Sequence, residues 1–168
     1  MSEVTKHIEA FGATIGHQPL RLAQHCPEGS AQPTSCFDNV RRKVQQAGGK
    51  VQFGWMFNYR VVEAIPGPGY LIAIHHAVWA APDGTLIDVT PFHSNPLHHP
   101  LAPRRGVVFF LVDDTATLPE FAPLASRFYP LSGEQRLSDH VERLRRAEEQ
   151  KCREIHDSNK AISEGCND

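Results

Sequence analysis

The sequence predicts an α+β domain, with an N-terminal helix packed on an antiparallel sheet and a charged helix extending from the C-terminal end. Three observations carry this. Helical periodicity is concentrated in two stretches, residues 34–47 and 132–162. Between them lie segments rich in β-branched and aromatic residues, separated by turns that contain Gly and Pro. Most of those segments follow one another directly, which favours antiparallel pairing over a parallel α/β arrangement.

Residues 1–33 are punctuated by Gly12, Gly16, Pro19, Pro27, Gly29 and Pro33 and read as loop, with an early strand expected near 11–15. Thr34 or Ser35 is placed to cap a helix running through Ala47, with Val40, Val44 and Ala47 on one face. Gly48-Gly49 ends it, since glycine adopts the left-handed terminal conformation without steric cost. Residues 51–65 form a strand bent near Gly54, Pro66-Gly67-Pro68-Gly69 a turn, and residues 70–80 the next strand. Pro82-Asp83-Gly84 then turns the chain into a short strand over 85–90, which sets Trp79 opposite Ile87 or Asp88.

Residues 91–106 hold five Pro or Gly and three His, and read as an exposed loop or one that caps a site. The run 106–112 is the most apolar and is expected to be the central strand. A short helix is expected after Pro119 and a long charged one from Ser132 to about Ile162. The chain thus divides into a core over 1–131 and a C-terminal helix over 132–168. Leu137, Val141 and Leu144 give that helix a short apolar stripe, a surface for a partner or for a second copy of the chain.

Bulk properties exclude several classes. A 168-residue chain with 40% hydrophobic and 21% charged residues can build one core. Its net charge of −2 offers no footprint for nucleic acid. No run approaches the about 20 apolar residues that span a bilayer, and the first residues lack the pattern of a secretory signal. Cys26, Cys36, Cys152 and Cys166 form no CxxC pair, so free thiols and a cytoplasmic setting are expected. Of ten His, five (75, 76, 93, 98 and 99) fall in the middle of the chain, where mild acid would add charge.

Chemistry concentrates in three segments: Ser35-Cys36-Phe37-Asp38-Asn39, His75-His76-Ala77-Val78-Trp79 and Leu86-Ile87-Asp88-Val89-Thr90-Pro91. A lone Cys is most often a small buried hydrophobe. Cys36 differs because the first turn of a helix offers unpaired N–H groups and a positive dipole end, both of which favour thiolate. Its own N–H is a candidate oxyanion donor. His75 and His76 are adjacent on a strand and point to opposite faces, so only one can meet Cys36. Asp88, across the hairpin, is placed either to orient that His or to cap the Thr90-Pro91 turn. Gln32 and Asn39 are candidates to hold the oxyanion or to orient the reacting groups.

A Cys at a helix start, then His-Ala-x-Trp, a Gly turn and Asp-x-Thr-Pro, resembles the core of the papain-like and transglutaminase-like thiol enzymes. The resemblance covers residues 33–92. Phe37 follows the Cys where transglutaminases usually carry Trp. The same run, from Cys36 through Gly54-Trp55 to Pro91, is also similar to small uncharacterised bacterial proteins. The thiol-enzyme resemblance implies Cys36 as nucleophile, His76 as base and Asp88 as its orienting acid, with His75 in reserve. It also implies an amide or ester hydrolase or an acyl transferase working through a thioester, without cofactor, on a peptide, protein or small amide or ester. Two alternatives come from other classes. One is a non-catalytic binding or adaptor domain on the same scaffold. The other is a metal-binding protein using His93, His98 and His99 with His75 or Cys26; Cys152 and His156 would form half of a second site.

Overall fold

The computed structural model describes residues 3–16, 18–120, 122 and 124–165. In chain order its elements are α1 (Glu3–Ile15), β1 (Leu20–His25), α2 (Cys36–Ala47), β2 (Lys50–Arg60), β3 (Tyr70–Ala80), β4 (Leu86–Asp88), β5 (Val107–Val112), β6 (Arg127–Pro130) and α3 (Gln135–Gly165). The layout is α+β with a long C-terminal helix. Four elements depart from the sequence reading. Residues 11–15 belong to α1 rather than to a strand, because Ile8, Phe11 and Ile15 recur at helical spacing and pack into the main core. β1 forms where loop is expected. β2 stops at Arg60, where residues 62–65 turn through the Ile65 N–H to Val62 O bond. Among the described residues between Pro119 and Arg127 none is helical, and β6 follows instead.

The sheet closes on itself. Its order is β2-β5-β1-β4-β3-β6, and β2 also pairs with β3, so five strands form a ring and β6 continues from β3. The sequence suggests an antiparallel run of four strands; here β1 lies parallel to β4, with His25 beside Asp88. Closure leaves little free sheet edge and gives the ring an inner and an outer face. Ala23, Met56, Val78, Val108 and Phe110 cluster on the inner face. Helix α1 covers part of the outer face, with Ile8 and Phe11 on Trp55, Phe57, Phe109 and Leu111. Helix α2 covers another part, with Val40 on Ala77 and Val89.

Gly54 allows the tightest approach. A Cβ there would stand 2.1 Å from Leu111 O and 2.7 Å from Phe110 Cζ. β2 therefore pairs with β3 and β5 at once only because this residue has no side chain.

The other edge of β3 is shared. β6 pairs with Tyr70 to Ala73 and β4 with Trp79 and Ala80, so the stretch between them has no strand partner on that side. Helix α3 seats Leu137 and Val141 on Tyr70, with Ile72, Phe128 and Leu144 around them. Leu137 and Val141 of the apolar stripe that the sequence offers to a partner are thus covered by the chain's own sheet. No helix among the described residues is long and apolar enough to cross a membrane.

Candidate active site

Cys36 is the first residue of α2. The chain enters the helix through Thr34 at φ 68°, a left-handed conformation that a β-branched residue rarely adopts. Such strain costs about 1–3 kcal/mol and persists where the surroundings impose it. Here Asn39 imposes it. Its side chain accepts from Gln32 N–H (3.1 Å), donates to Gln32 O (2.8 Å) and donates to Thr90 Oγ1 (3.2 Å). Ser35 stands at the N-cap position, but its hydroxyl makes no capping bond. The first-turn amides are therefore not consumed by a cap, and the positive end of the helix faces Cys36.

His76 lies on the inner-face side of β3, with Ile74 and Val78, whereas α2 packs on the outer face. Cys36 meets His76 at the unpartnered stretch of the β3 edge. There the thiol comes under the influence of the His76 imidazole and of the Ala77 backbone N–H, a donor that no strand among the described residues uses. On the other side, His76 Nε2–H donates to Asp88 Oδ1 at 3.2 Å. Asp88 is only 1% exposed. The same oxygen accepts the Thr90 N–H at 3.0 Å, so the turn-capping and orienting roles proposed for Asp88 coexist in one atom.

The electrostatics follow from this chain of contacts. Burial alone would raise the Cys36 thiol pKa, but the charge and hydrogen bond of His76 and the Ala77 N–H outweigh it, and the pKa falls below the ordinary thiol value. Burial likewise works against the His76 cation. The Cys36 and Asp88 charges and their hydrogen bonds more than offset this, raising its pKa to about 10. Both shifts favour a thiolate–imidazolium pair.

His75 does different work. Its Nε2–H donates to Ala116 O at 2.6 Å, and its Nδ1 accepts the Leu124 N–H at 3.2 Å. Those bonds specify one neutral tautomer, and burial lowers its pKa. It packs beside Phe37 and Trp55 and ties Ala116 and Leu124 to β3. It is not brought to Cys36.

Gln32 is exposed and lies outside the cavity lining, while Asn39 holds its backbone in the entry loop. The Asn39 amide is itself committed to Gln32, Thr90 and Arg42, so it orients this loop and not a ligand.

Cys36, His76 and Asp88 line one cavity of about 580 Å³. Its walls add Phe37, Met56, Ile74, Leu118 and Leu124, and its rim carries Phe92, His93 and His98 from the 91–106 loop. That loop is anchored by Phe92 stacked on His25 at 3.7 Å and by Asn58 Nδ2–H donating to His98 O at 3.0 Å. Among the described residues no three His, Cys, Asp or Glu side chains gather so as to hold a metal ion. His93 and His98 touch edge-to-face, and His99 Nε2–H donates to His93 O. Cys26 is exposed, and Cys26, Cys36 and Cys152 are free thiols; Cys166 lies outside the described residues.

One cavity residue is read from the sequence only as part of the charged face of the C-terminal helix. Glu148 comes from α3, eleven residues after Leu137, and Ser126 holds it through its hydroxyl (2.9 Å) and its N–H (3.4 Å). A signal for it exists: Leu137, Val141, Leu144 and Glu148 continue one helical stripe, so a carboxylate falls where an apolar residue is due.

Fold and site together define an α+β protein whose closed sheet carries a thiol–imidazole–carboxylate chain on a cavity wall. No family model, no curated protein and no solved structure matches the chain.

Proposed function

We propose that this chain is a cysteine-dependent amide or ester hydrolase, or an acyl transferase that uses the same acyl-enzyme. The observation that carries the reading is that Cys36 and His76 act on one another while His76 donates to Asp88, with all three lining one cavity. The resemblance of residues 33–92 to papain-like and transglutaminase-like cores supports it, since those enzymes also set a helix-borne Cys against His and Asp on neighbouring strands. Free thiols suit a reducing compartment, and the cytoplasm is the setting proposed.

In this mechanism the Cys36 thiolate attacks the substrate carbonyl carbon. The Cys36 N–H, at the positive end of α2, receives the developing oxyanion. The His76 imidazolium gives its proton to the leaving nitrogen or oxygen as that bond to carbon breaks, leaving a thioester on Cys36. His76, now neutral, takes a proton from water or an acceptor amine, which attacks the thioester and releases the thiolate. Asp88 accepts from Nε2–H throughout and stabilises the cation each time it forms.

Iodoacetamide at mildly acidic pH, with modified sites mapped by mass spectrometry, tests the starting state. Cys36 is expected to react well ahead of Cys26, Cys152 and Cys166, and a folded Cys36→Ala variant is expected to lose all turnover of activated esters. Slow, uniform labelling of every thiol, or a Cys36→Ala variant as active as the parent, would overturn the reading in favour of a binding domain.

A further inference from the structure

We infer that the cavity takes a small acyl donor joining an apolar body to a protonated amine, with Glu148 receiving the ammonium group. This rests on the reading of Cys36 as the nucleophile and adds the substrate class. A volume of about 580 Å³ falls within the roughly 300–1,000 Å³ of small-molecule pockets. It holds a compact ligand, not an extended polypeptide. The walls are chiefly apolar, from Phe37, Met56, Ile74, Leu118 and Leu124.

Against those walls the lining, among the described residues, contains no Lys or Arg, and Glu148 is its only carboxylate besides Asp88. Both Ser126 donors meet the same Glu148 oxygen, Oε1. This fixes the carboxylate and leaves Oε2 for a ligand. Among the described residues Glu148 takes part in no ion pair; its helical neighbours Arg145 and Arg146 are both engaged with Glu142. Arg60 touches the rim through His98 Nδ1 but does not line the cavity. A carboxylate aimed across apolar walls attracts a cation more strongly than it would in water. The same charge repels an anionic ligand, which gives selection by exclusion.

Two matched pairs of p-nitrophenyl esters test this: 6-aminohexanoyl against hexanoyl, and leucyl against 4-methylpentanoyl, each corrected for uncatalysed hydrolysis. The ammonium member of at least one pair is expected to have a kcat/KM at least about tenfold higher. Glu148→Gln is expected to bring that ratio within about twofold of one. Equal rates within both pairs, or a ratio that Glu148→Gln leaves intact, would overturn the inference.

Calorimetric binding of hexylamine to the Cys36→Ala protein separates the two levels. Cys36-dependent turnover without any ammonium preference removes the amine site and keeps the acyl chemistry. Hexylamine binding that is lost in the Cys36→Ala, Glu148→Gln double variant, with no turnover by the parent, keeps the amine site and removes the acyl chemistry. With neither, both readings are lost.

Discussion

His76 Nε2 and Asp88 Oδ1 stand 3.2 Å apart because the β3–β4 hairpin pairs Trp79 with Ile87 and so brings two residues twelve positions apart side by side on one face. Asp88 is held there by the backbone as well, since its Oδ1 accepts the Thr90 N–H and its carbonyl accepts the Cys26 N–H. The imidazole is thus aligned before any substrate arrives.

Asp88→Asn should keep this shape and remove the charge. Its amide oxygen can still accept the Thr90 N–H, or its NH₂ can face His76 and reverse the hydrogen bond, but neither arrangement stabilises an imidazolium as the carboxylate charge does. A drop of roughly 10²- to 10⁴-fold in kcat/KM is expected, with the circular dichroism spectrum unchanged. Ester turnover measured beside the spectrum checks both halves.

The pH dependence follows from two shifts of opposite sign. The thiol pKa lies below its ordinary value, so the nucleophile disappears only when the pH falls through that lowered value. The imidazolium pKa is about 10, so the proton for the leaving group disappears only as the pH rises through about 10. A broad bell-shaped profile of kcat/KM is expected, its alkaline limb near pH 10. His76→Gln should move alkylation of Cys36 toward the alkaline range of an ordinary thiol; stopped-time labelling from pH 5 to 10 reads this directly.

His75→Gln separates the two adjacent imidazoles. The change disturbs bonds to Ala116 O and the Leu124 N–H that a glutamine reaches imperfectly, so a stability loss of about 1–3 kcal/mol is expected in urea unfolding. The acid-side midpoint of Cys36 alkylation should stay close to that of the parent, because Cys36 has no hydrogen bond to His75.

Asn39→Ala should release the entry loop. Three hydrogen bonds to Gln32 and Thr90 are lost at a residue only 2% exposed, and the strained Thr34 has less to hold it. About 1–3 kcal/mol of stability is expected to go. Faster amide exchange confined to residues 32–36, seen by mass spectrometry, would localise the effect.

Gly54→Ala tests the closure of the ring. A methyl group would press on Leu111 O and the Phe110 ring, and the backbone oxygen can give way only if β5 shifts. A loss of about 3 kcal/mol or more is expected, read as a lower Tm or as insoluble expression.

Local signals made much of the molecule legible. α2, the β2–turn–β3 pair, the short hairpin to β4 and the long C-terminal helix are written in patterns that span a dozen residues. So is the order Cys36, His76, Asp88, and hairpin geometry alone brought His76 near Asp88. Residues 8–15 also carried a helical period, but Gly12 and Gly16 obscured it as punctuation. Glu148 was hidden differently: on a helix crowded with charge, one more carboxylate gives no sign of facing inward.

What the sequence determined by itself is therefore the α+β layout and the three chemical groups in their chain order. The tertiary structure decided which His meets the thiol, that Gln32 lies outside the cavity lining, and that α3 returns to the cavity with Glu148. The reason is one of range. Periodicity and turn chemistry act between near neighbours, and they put His75 and His76 on opposite faces without ranking them. The choice came from the gap that β4 and β6 leave along the β3 edge, where α2 delivers Cys36 to the Ala77 N–H and to His76. That gap exists only because five strands close into a ring through pairings between distant parts of the chain, among them the parallel contact of β1 with β4.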